Sequence, residues 1–303
     1  MRKYAPIALF AYNRPKHTRR VVEALLKNAE SAESELFVFS DGPKSEDDSS
    51  HVQEVRQYAE SIKGFARVEL IRRNANIGLA HNITSGITEV LSHHDRIIVV
   101  EDDMLVSPFF LRFINESLDV YEHDERIISV HGYIYPVAGK LPDTFFLRGA
   151  NCWGWGTWKR GWALFEPDGK KLLAQLRQRN LCRQFDMDGT YPYTKMLEDQ
   201  IAGKNQSWAV RWYASAFLHD KLTLYPGESL VQNIGNDRSG THIGRTTVMD
   251  VVLRTHPLVP SAIPVEEHRG ARAQVAEFFR YLPLTRLQRV LSLFGIKMKG
   301  KIR

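Results

Sequence analysis

Arg96-Ile97-Ile98-Val99-Val100-Glu101-Asp102-Asp103-Met104 is the stretch from which the rest of the chain can be placed. Its four consecutive β-branched residues predict a strand buried on both faces. That strand runs directly into three adjacent carboxylates, which repel one another unless a cation sits among them. Capping of the following helix does not account for the acids, because Ser107-Pro108 offers an N-cap and a proline at N1 ahead of Phe109-Phe110-Leu111. Side chains alternate across a strand, so Glu101 and Asp103 are expected to project one way and Asp102 the other. One group is then free to bind a metal while another meets the hydroxyls of a ligand.

Upstream of this stretch, strand and helix patterns alternate. Strands are predicted at Ile7 to Tyr12, Glu35 to Phe39 and Val68 to Ile71, and helices at His17 to Ala29, Val52 to Ile62 and Gly78 to Ser92. This is the βαβ rhythm of a mostly parallel α/β sheet flanked by helices. Ligands of such sheets bind beyond the carboxyl ends of the strands, so the residues that follow each strand are the informative ones. They are Asn13-Arg14-Pro15, Ser40-Asp41-Gly42-Pro43 and Arg72-Arg73-Asn74-Ala75-Asn76-Ile77-Gly78. Each has a local explanation, Asn13 as a helix cap and Asp41-Gly42 as a turn. All three are nonetheless polar, and the helix opened by Gly78, with Arg73 before it, offers an amino end to phosphate oxygens.

Composition bounds the rest. The 303 residues suffice for one large core or two modest ones, and 43% hydrophobic content argues against disorder. The two cysteines, Cys152 and Cys182, form no paired framework and no metal-ligand spacing, which suits a reducing, cytoplasmic setting. No apolar run reaches the roughly 20 residues of a bilayer span, so neither a signal peptide nor a transmembrane helix is expected. Seven bases and no acids lie between Phe278 and Arg303, more than the whole net charge of +6. Within that tail Leu284, Leu287, Leu291 and Phe294 follow helical spacing beside Arg286 and Arg289, which describes either a basic amphipathic helix at the inner face of a membrane or an ordinary packed helix. The bases come without interleaved aromatics, so no nucleic-acid partner is expected.

Downstream, Ile127 to Gly132 reads as a further strand, after which all six tryptophans fall between Trp153 and Trp212. Trp153-Gly154-Trp155-Gly156 interleaves indoles with glycines, so backbone can approach a ligand while a ring face stacks on a sugar. Trp158 and Trp162, one helical turn apart, are expected in the core.

Together these motifs resemble metal-dependent glycosyltransferases of the GT-A fold, and within them the N-acetylglucosaminyltransferase I group and its bacterial, family 2-like relatives. Val99-Val100-Glu101-Asp102-Asp103 followed by Pro108-Phe109-Phe110 is similar to that group's DxD signature, and Asn76-Ile77-Gly78-Leu79 to the Asn-x-Gly-Leu loop of family 2. The resemblance implies a mixed, mostly parallel Rossmann-like sheet with a Trp-rich acceptor subdomain. It implies a metal, Mn²⁺ or Mg²⁺, on Asp103, with Glu101 and Asp102 on the nucleoside. Asn13, Arg14 and Asp41 would flank the base, Asp41 accepting from a pyrimidine imide, while Arg73 and Asn76 meet the phosphates and Trp153 and Trp155 the donor sugar. The segment Ser229 to His242 is similar to a closing loop, in which His242 or Asp237 would complete the metal site.

The same resemblance implies transfer of a sugar from a nucleotide donor, a UDP-sugar first, to a hydroxyl of a glycan or glycolipid, with inversion. The acceptor's base would then precede a tryptophan, but Asn205-Gln206-Ser207-Trp208 places Gln206 there, and an amide cannot act as a base. Asp199, or Glu198 beside it, is the substitute. The expected organisation is a glycosyltransferase domain over 1–245, with a nucleotide-binding half at 1–133 and an acceptor half at 134–245, then a connector and tail at 246–303. Two other readings stay open at this point: a non-catalytic sugar-nucleotide-binding protein, and a sugar nucleotidyltransferase.

Overall fold

The structure is a computed structural model that describes residues 4–235, 237 and 247–282. In chain order its elements are β1 (Ile7–Ala11), α1 (Pro15–Leu25), β2 (Glu35–Ser40), α2 (Glu46–Ser61), β3 (Arg67–Arg72), α3 (Leu79–His93), β4 (Arg96–Glu101), β5 (Met104–Val106), α4 (Phe110–Val120) and β6 (Ile127–His131). There follow β7 (Thr144–Arg148), β8 (Trp155–Trp158), α5 (Lys159–Trp162), α6 (Gly169–Gln178), α7 (Cys182–Phe185), α8 (Tyr193–Ile201), α9 (Ala209–Leu218), β9 (Leu222–Pro226), β10 (Val231–Asn233) and α10 (Arg269–Tyr281).

Eight strands form one sheet in the order β3-β2-β1-β4-β8-β6-β9-β7. The first four are parallel throughout, and β8 runs antiparallel to both β4 and β6. The chain winds outward from β1 to β3 and then returns to lay β4 on the other side of β1. The carboxyl ends of β1 and β4 therefore stand side by side at the point where the winding reverses, which is where such sheets bind ligands.

The β-branched run explains why β4 is central. Ile98 and Val100 pack with α1 and α4 on one face, while Ile97 and Val99 pack with α3 and the tryptophans of α5 and α9 on the other. All four are buried, and each such side chain contributes about 1.5–3 kcal/mol relative to exposure. β4 ends at Glu101, and in the turn that follows both Asp102 and Asp103 meet Arg14 at the start of α1, so the expected alternation does not separate them.

Several boundaries depart from expectation. α2 begins at Glu46, six residues before the predicted Val52, because Glu46, Asp47 and Asp48 suit the positive end of a helix although they carry no apolar period. α4 begins at Phe110, not at Pro108. Ser107 is a turn residue whose hydroxyl accepts from Phe109 N (3.3 Å) and donates to the Arg254 carbonyl (2.6 Å), so it is not the N-cap of that helix. Residues 247–267 run back over the sheet, held by Arg254 N on Ser229 O (2.9 Å) and by a bridge between Phe146 and Glu267. The basic tail predicted from Leu284 onward lies outside the described residues. No helix among the described residues is long and apolar enough to cross a membrane.

Candidate functional site

The register that pairs Phe10 with Glu101 brings the chain after β1 against the chain after β4, and Asp102 N donates to Phe10 O at 3.0 Å. Pro15 starts α1 immediately, so Arg14 occupies its N-cap position with its side chain directed at the acids. The guanidinium grips both aspartates. Its Nη2 contacts Asp102 Oδ1 and lies 3.0 Å from Asp103 Oδ2, and its Nε lies 3.4 Å from Asp102 Oδ2. Asp103 Oδ1 is buried and has no hydrogen-bond partner among the described residues.

From the other side, β10 pairs with β5 and carries the chain over the acids, with Ile234 N donating to the Asp103 carbonyl at 2.8 Å. At Gly235 the backbone is so close that an added Cβ would collide with the Asp103 carboxylate. Asp237, one of the two residues considered for completing a metal site, faces His17 on α1 at 3.1 Å. His242 lies outside the described residues.

Among the described residues these three carboxylates thus share one cation, Arg14. Burial first, then Asp103 and Asp102, push Glu101 up to about 8 against the opposing pull of Arg14. Burial also raises Asp102, with Arg14 opposing and Asp103 adding to the rise. The Cys152 thiol is raised well above its ordinary value by burial and by Glu101 and Asp103, which places it in the same field and keeps it protonated at neutral pH. Burial disfavours the Arg14 charge, but Asp102 and Asp103 more than offset it, so Arg14 stays cationic.

The loops after β2 and β3 are joined through Asp41. Its Oδ1 accepts from Gly42 N and Ile77 N (both 2.9 Å) and its Oδ2 from Gly78 N (3.0 Å). Asn76 Nδ2 donates to Gly42 O at 2.8 Å across the same seam. Arg56 of α2 completes it, with Nε on Ser40 Oγ (3.1 Å) and Nη2 on the carbonyls of Asp41 (3.2 Å) and Arg73 (2.8 Å). Asp41 therefore shapes the loops that would flank a base, with one acceptor direction of Oδ2 left for a ligand.

Three expected roles are corrected. Asn13 does not cap α1. Its amide donates to Asp48 Oδ1 (2.6 Å) beside Tyr12 OH on Asp48 Oδ2 (2.9 Å), tying the loop after β1 to the start of α2. Arg73 is not held at the amino end of α3 but lies along that helix, with Nη2 on Glu89 Oε2 (3.1 Å) and Nε on Asn82 Oδ1 (3.3 Å), because Glu89 is the nearer countercharge. Trp155 is fully buried in β8 against Trp212 and Trp208, at ring distances of 5.4 and 6.0 Å, and has no face for a sugar. Asp199 and Glu198 lie on α8, where Asp199 pairs with Lys195 and Glu198 with Arg177 (2.9 Å).

Trp153 is only partly buried and stands edge-on to Tyr133 at 4.7 Å, so of the two indoles it alone remains available to a ligand. Its backbone N–H donates to His131 Nε2 (3.0 Å), so Nδ1 carries the proton and donates to Tyr133 O (2.7 Å). Burial pushes His131 down to about 3, and it acts as a neutral clamp on the tryptophan loop. Trp158 and Trp162 are buried, as expected. Gln206 reaches the amino end of α3, its Oε1 3.5 Å from where a Cβ on Gly78 would stand. Asn205 Nδ2 on Met196 O (3.0 Å) links that segment to α8.

Arg56, Asp48, Cys152 and His131 were not legible as site residues. Arg56 and Asp48 sit in a polar helix with no motif around them. Cys152 and His131 adjoin quoted motifs, and their position next to those motifs was the one available signal.

Among the described residues no group of three or more His, Cys, Asp and Glu side chains is arranged to hold a metal ion. A divalent ion that completes its shell with substrate oxygens needs only one or two protein carboxylates, and the orphaned Oδ1 of Asp103 fits that demand. What the fold and site define is a mostly parallel α/β sheet with a cluster of charged side chains at its switch point.

Residues 6–131, from β1 through β6, match the model of the family described as glycosyltransferase like family 2. The narrower likeness to the N-acetylglucosaminyltransferase I group rests on the quoted motifs alone. A search of curated proteins finds no significant match. Among solved structures, the chain is similar to the mannosyltransferase PcManGT from Pyrobaculum calidifontis in complex with GDP-Man and Mn²⁺, at 16% identity over 44% of this chain and 37% of that one, with a TM-score of 0.33. It is also similar to TarS 1–349 from S. aureus, at 11% identity over 76% of this chain and 61% of that one, with a TM-score of 0.40. Both matches thus span less than two thirds of the other protein's own length.

Proposed function

We propose that this chain is a metal-assisted glycosyltransferase that moves a sugar from a nucleoside diphosphate donor, a UDP-sugar first, to a hydroxyl of a glycan or glycolipid, with inversion at the anomeric carbon. The observation that carries the reading is the end of β4: three carboxylates at the switch point, one of them with a buried oxygen left without a partner. Asp103 would hold a Mn²⁺ or Mg²⁺ ion, which when bound offsets charge on the departing diphosphate. Arg14, permanently charged, is placed to take part of the same charge. Asp41, Asn76 and Arg56 hold the loops into which a base fits. Glu101, at the end of β4 beside these acids, would meet the hydroxyls of the nucleoside.

Gln206 cannot take the acceptor's proton. Asp199 remains the candidate, because α8 is tied through Asn205 to the segment that abuts Gly78. The domain limits expected from the sequence, and peripheral membrane contact through the tail, stay part of this proposal. A second reading, sugar-nucleotide binding without transfer, is favoured by Gln206 and by the lysine already on Asp199.

Calorimetric titration with UDP, GDP and dTDP, each with and without Mn²⁺, tests the donor site. One diphosphate should bind in a manner that needs both the metal and Asp103, with affinity falling about 100-fold or more in Asp103→Ala. Equal binding by that variant would remove the metal assignment, and donor turnover with an acceptor present would exclude the second reading.

A further inference from the structure

Arg14 does more than neutralise. Among the described residues it is the one cation paired with these acids, and it bridges Asp102 and Asp103 in a forked geometry. Its backbone is pinned between β1 and Pro15, so any rearrangement must come from the side chain. Asp103 presents Oδ2 to this guanidinium, and its buried Oδ1 meets no partner among the described residues. A divalent ion on Oδ1 and a guanidinium on Oδ2 of one carboxylate would stand a few ångströms apart, like charges in a weakly screened site. Both cannot hold Asp103 at full strength.

Resting on the donor-site reading above, we infer that Arg14 is a resident counter-cation that competes with the metal for Asp103 and hands itself to the donor's diphosphate. Metal and nucleotide then load together. Without nucleotide, Arg14 keeps its grip and the metal binds weakly. With nucleotide, the diphosphate oxygens offer the guanidinium an equally forked, charged partner, and Asp103 is released to the ion. The coupling is reciprocal, so the metal strengthens nucleotide binding by the same factor. Asp102, which stays beside Arg14 at the α1 face, keeps the side chain from leaving the site altogether.

The test is Mn²⁺ binding to the full chain followed by electron paramagnetic resonance of the free ion, with and without UDP. In Arg14→Met, Mn²⁺ alone should bind about tenfold or more tightly than in wild type, and the gain on adding UDP should shrink correspondingly. Arg14→Lys, which keeps the charge, should stay near wild type. If Mn²⁺ with UDP binds wild type but Arg14→Met shows unchanged or weaker Mn²⁺ affinity, the competition is wrong and the donor-site reading stands. If no nucleoside diphosphate supports Mn²⁺ binding to wild type, both fall. Should the methionine variant not fold, the Arg14 Nε–H resonance of ¹⁵N-arginine-labelled wild type decides: it should shift on adding Mg²⁺ with UDP, and an unmoved resonance overturns the inference.

Discussion

At the end of β4, Glu101, Asp102 and Asp103 share a single guanidinium among the described residues; on α8, Glu198 and Asp199 are matched by Arg177, Lys195 and Lys204. Among the described residues the first group is short of positive charge, burial shifts Glu101 and Asp102 upward, and one Asp103 oxygen has no partner. The second lies at the surface with a partner for each acid. A site that lacks a cation is prepared to bind one, whereas a site with every charge answered has first to lose a partner. On the proposed reading, the contrast favours ligand binding at the β4 group on electrostatic grounds and leaves proton transfer as the role that the α8 pair must show in kinetics.

The largest expected effect separates those roles. Asp199→Asn should lower turnover by roughly 10²–10⁴-fold, the range for loss of a positioned general base, while leaving Mn²⁺-dependent nucleotide binding within about twofold. Steady-state kinetics beside calorimetry reads both. Turnover within a few-fold of wild type would take the base away from α8 and deepen the difference between the two groups.

The β4 group makes its own prediction in pH. Glu101 has a folded value of about 8 against 4.5 for the free side chain, so between those values the folded state binds more protons than the unfolded one. Stability must then fall as pH rises through this window, by at most about 5 kcal/mol, and the cost is absent below the lower value. Glu101→Gln removes it. Urea unfolding of metal-free protein at intervals from pH 5 to pH 8 should show the variant gaining steadily on wild type. A difference independent of pH would mean that Glu101 ionises freely, and that the two acidic groups are less unlike than they look. His131, held at about 3, acts in the opposite direction, its contribution being present above pH 6.5 and lost as pH falls toward 3. Comparing wild type with Glu101→Gln cancels that background.

How much of this could be read from the chain follows from what sequence patterns encode. The four β-branched residues and the acids after them specify a central strand and its charged end, because both depend on local composition, and the parallel order follows from the alternation of elements. Orientation across space does not. Arg14 and Arg73 each follow a strand and look alike in sequence, yet one turns onto Asp102 and Asp103 and the other onto Glu89, a choice made by which acid the fold brings near. The glycines around Trp155 suggested an open ring face. Strand alternation instead turned that indole into the layer below α3, where Trp162, Trp208 and Trp212 enclose it. Asp41 was legible as a binding-loop residue, but its three backbone partners come from segments up to 37 positions apart and have no sequence signature.

The smallest effect is expected on α8 itself. Glu198 pairs with Arg177 at 2.9 Å, but both side chains are more than a third exposed, so water screens the pair and their freedom is lost in forming it. Glu198→Gln should therefore change unfolding stability by less than about 1 kcal/mol, with the little that is lost disappearing at high salt. Chemical denaturation at low and at molar salt measures this directly. A loss of several kcal/mol would mean that the α8 acids bear structural load as the buried acids do, and a reduced turnover in Asp199→Asn would then no longer distinguish a missing base from a displaced helix. A negligible loss keeps the two explanations apart, because a helix that tolerates the removal of one surface charge holds its neighbour's carboxyl in place while its chemistry is changed.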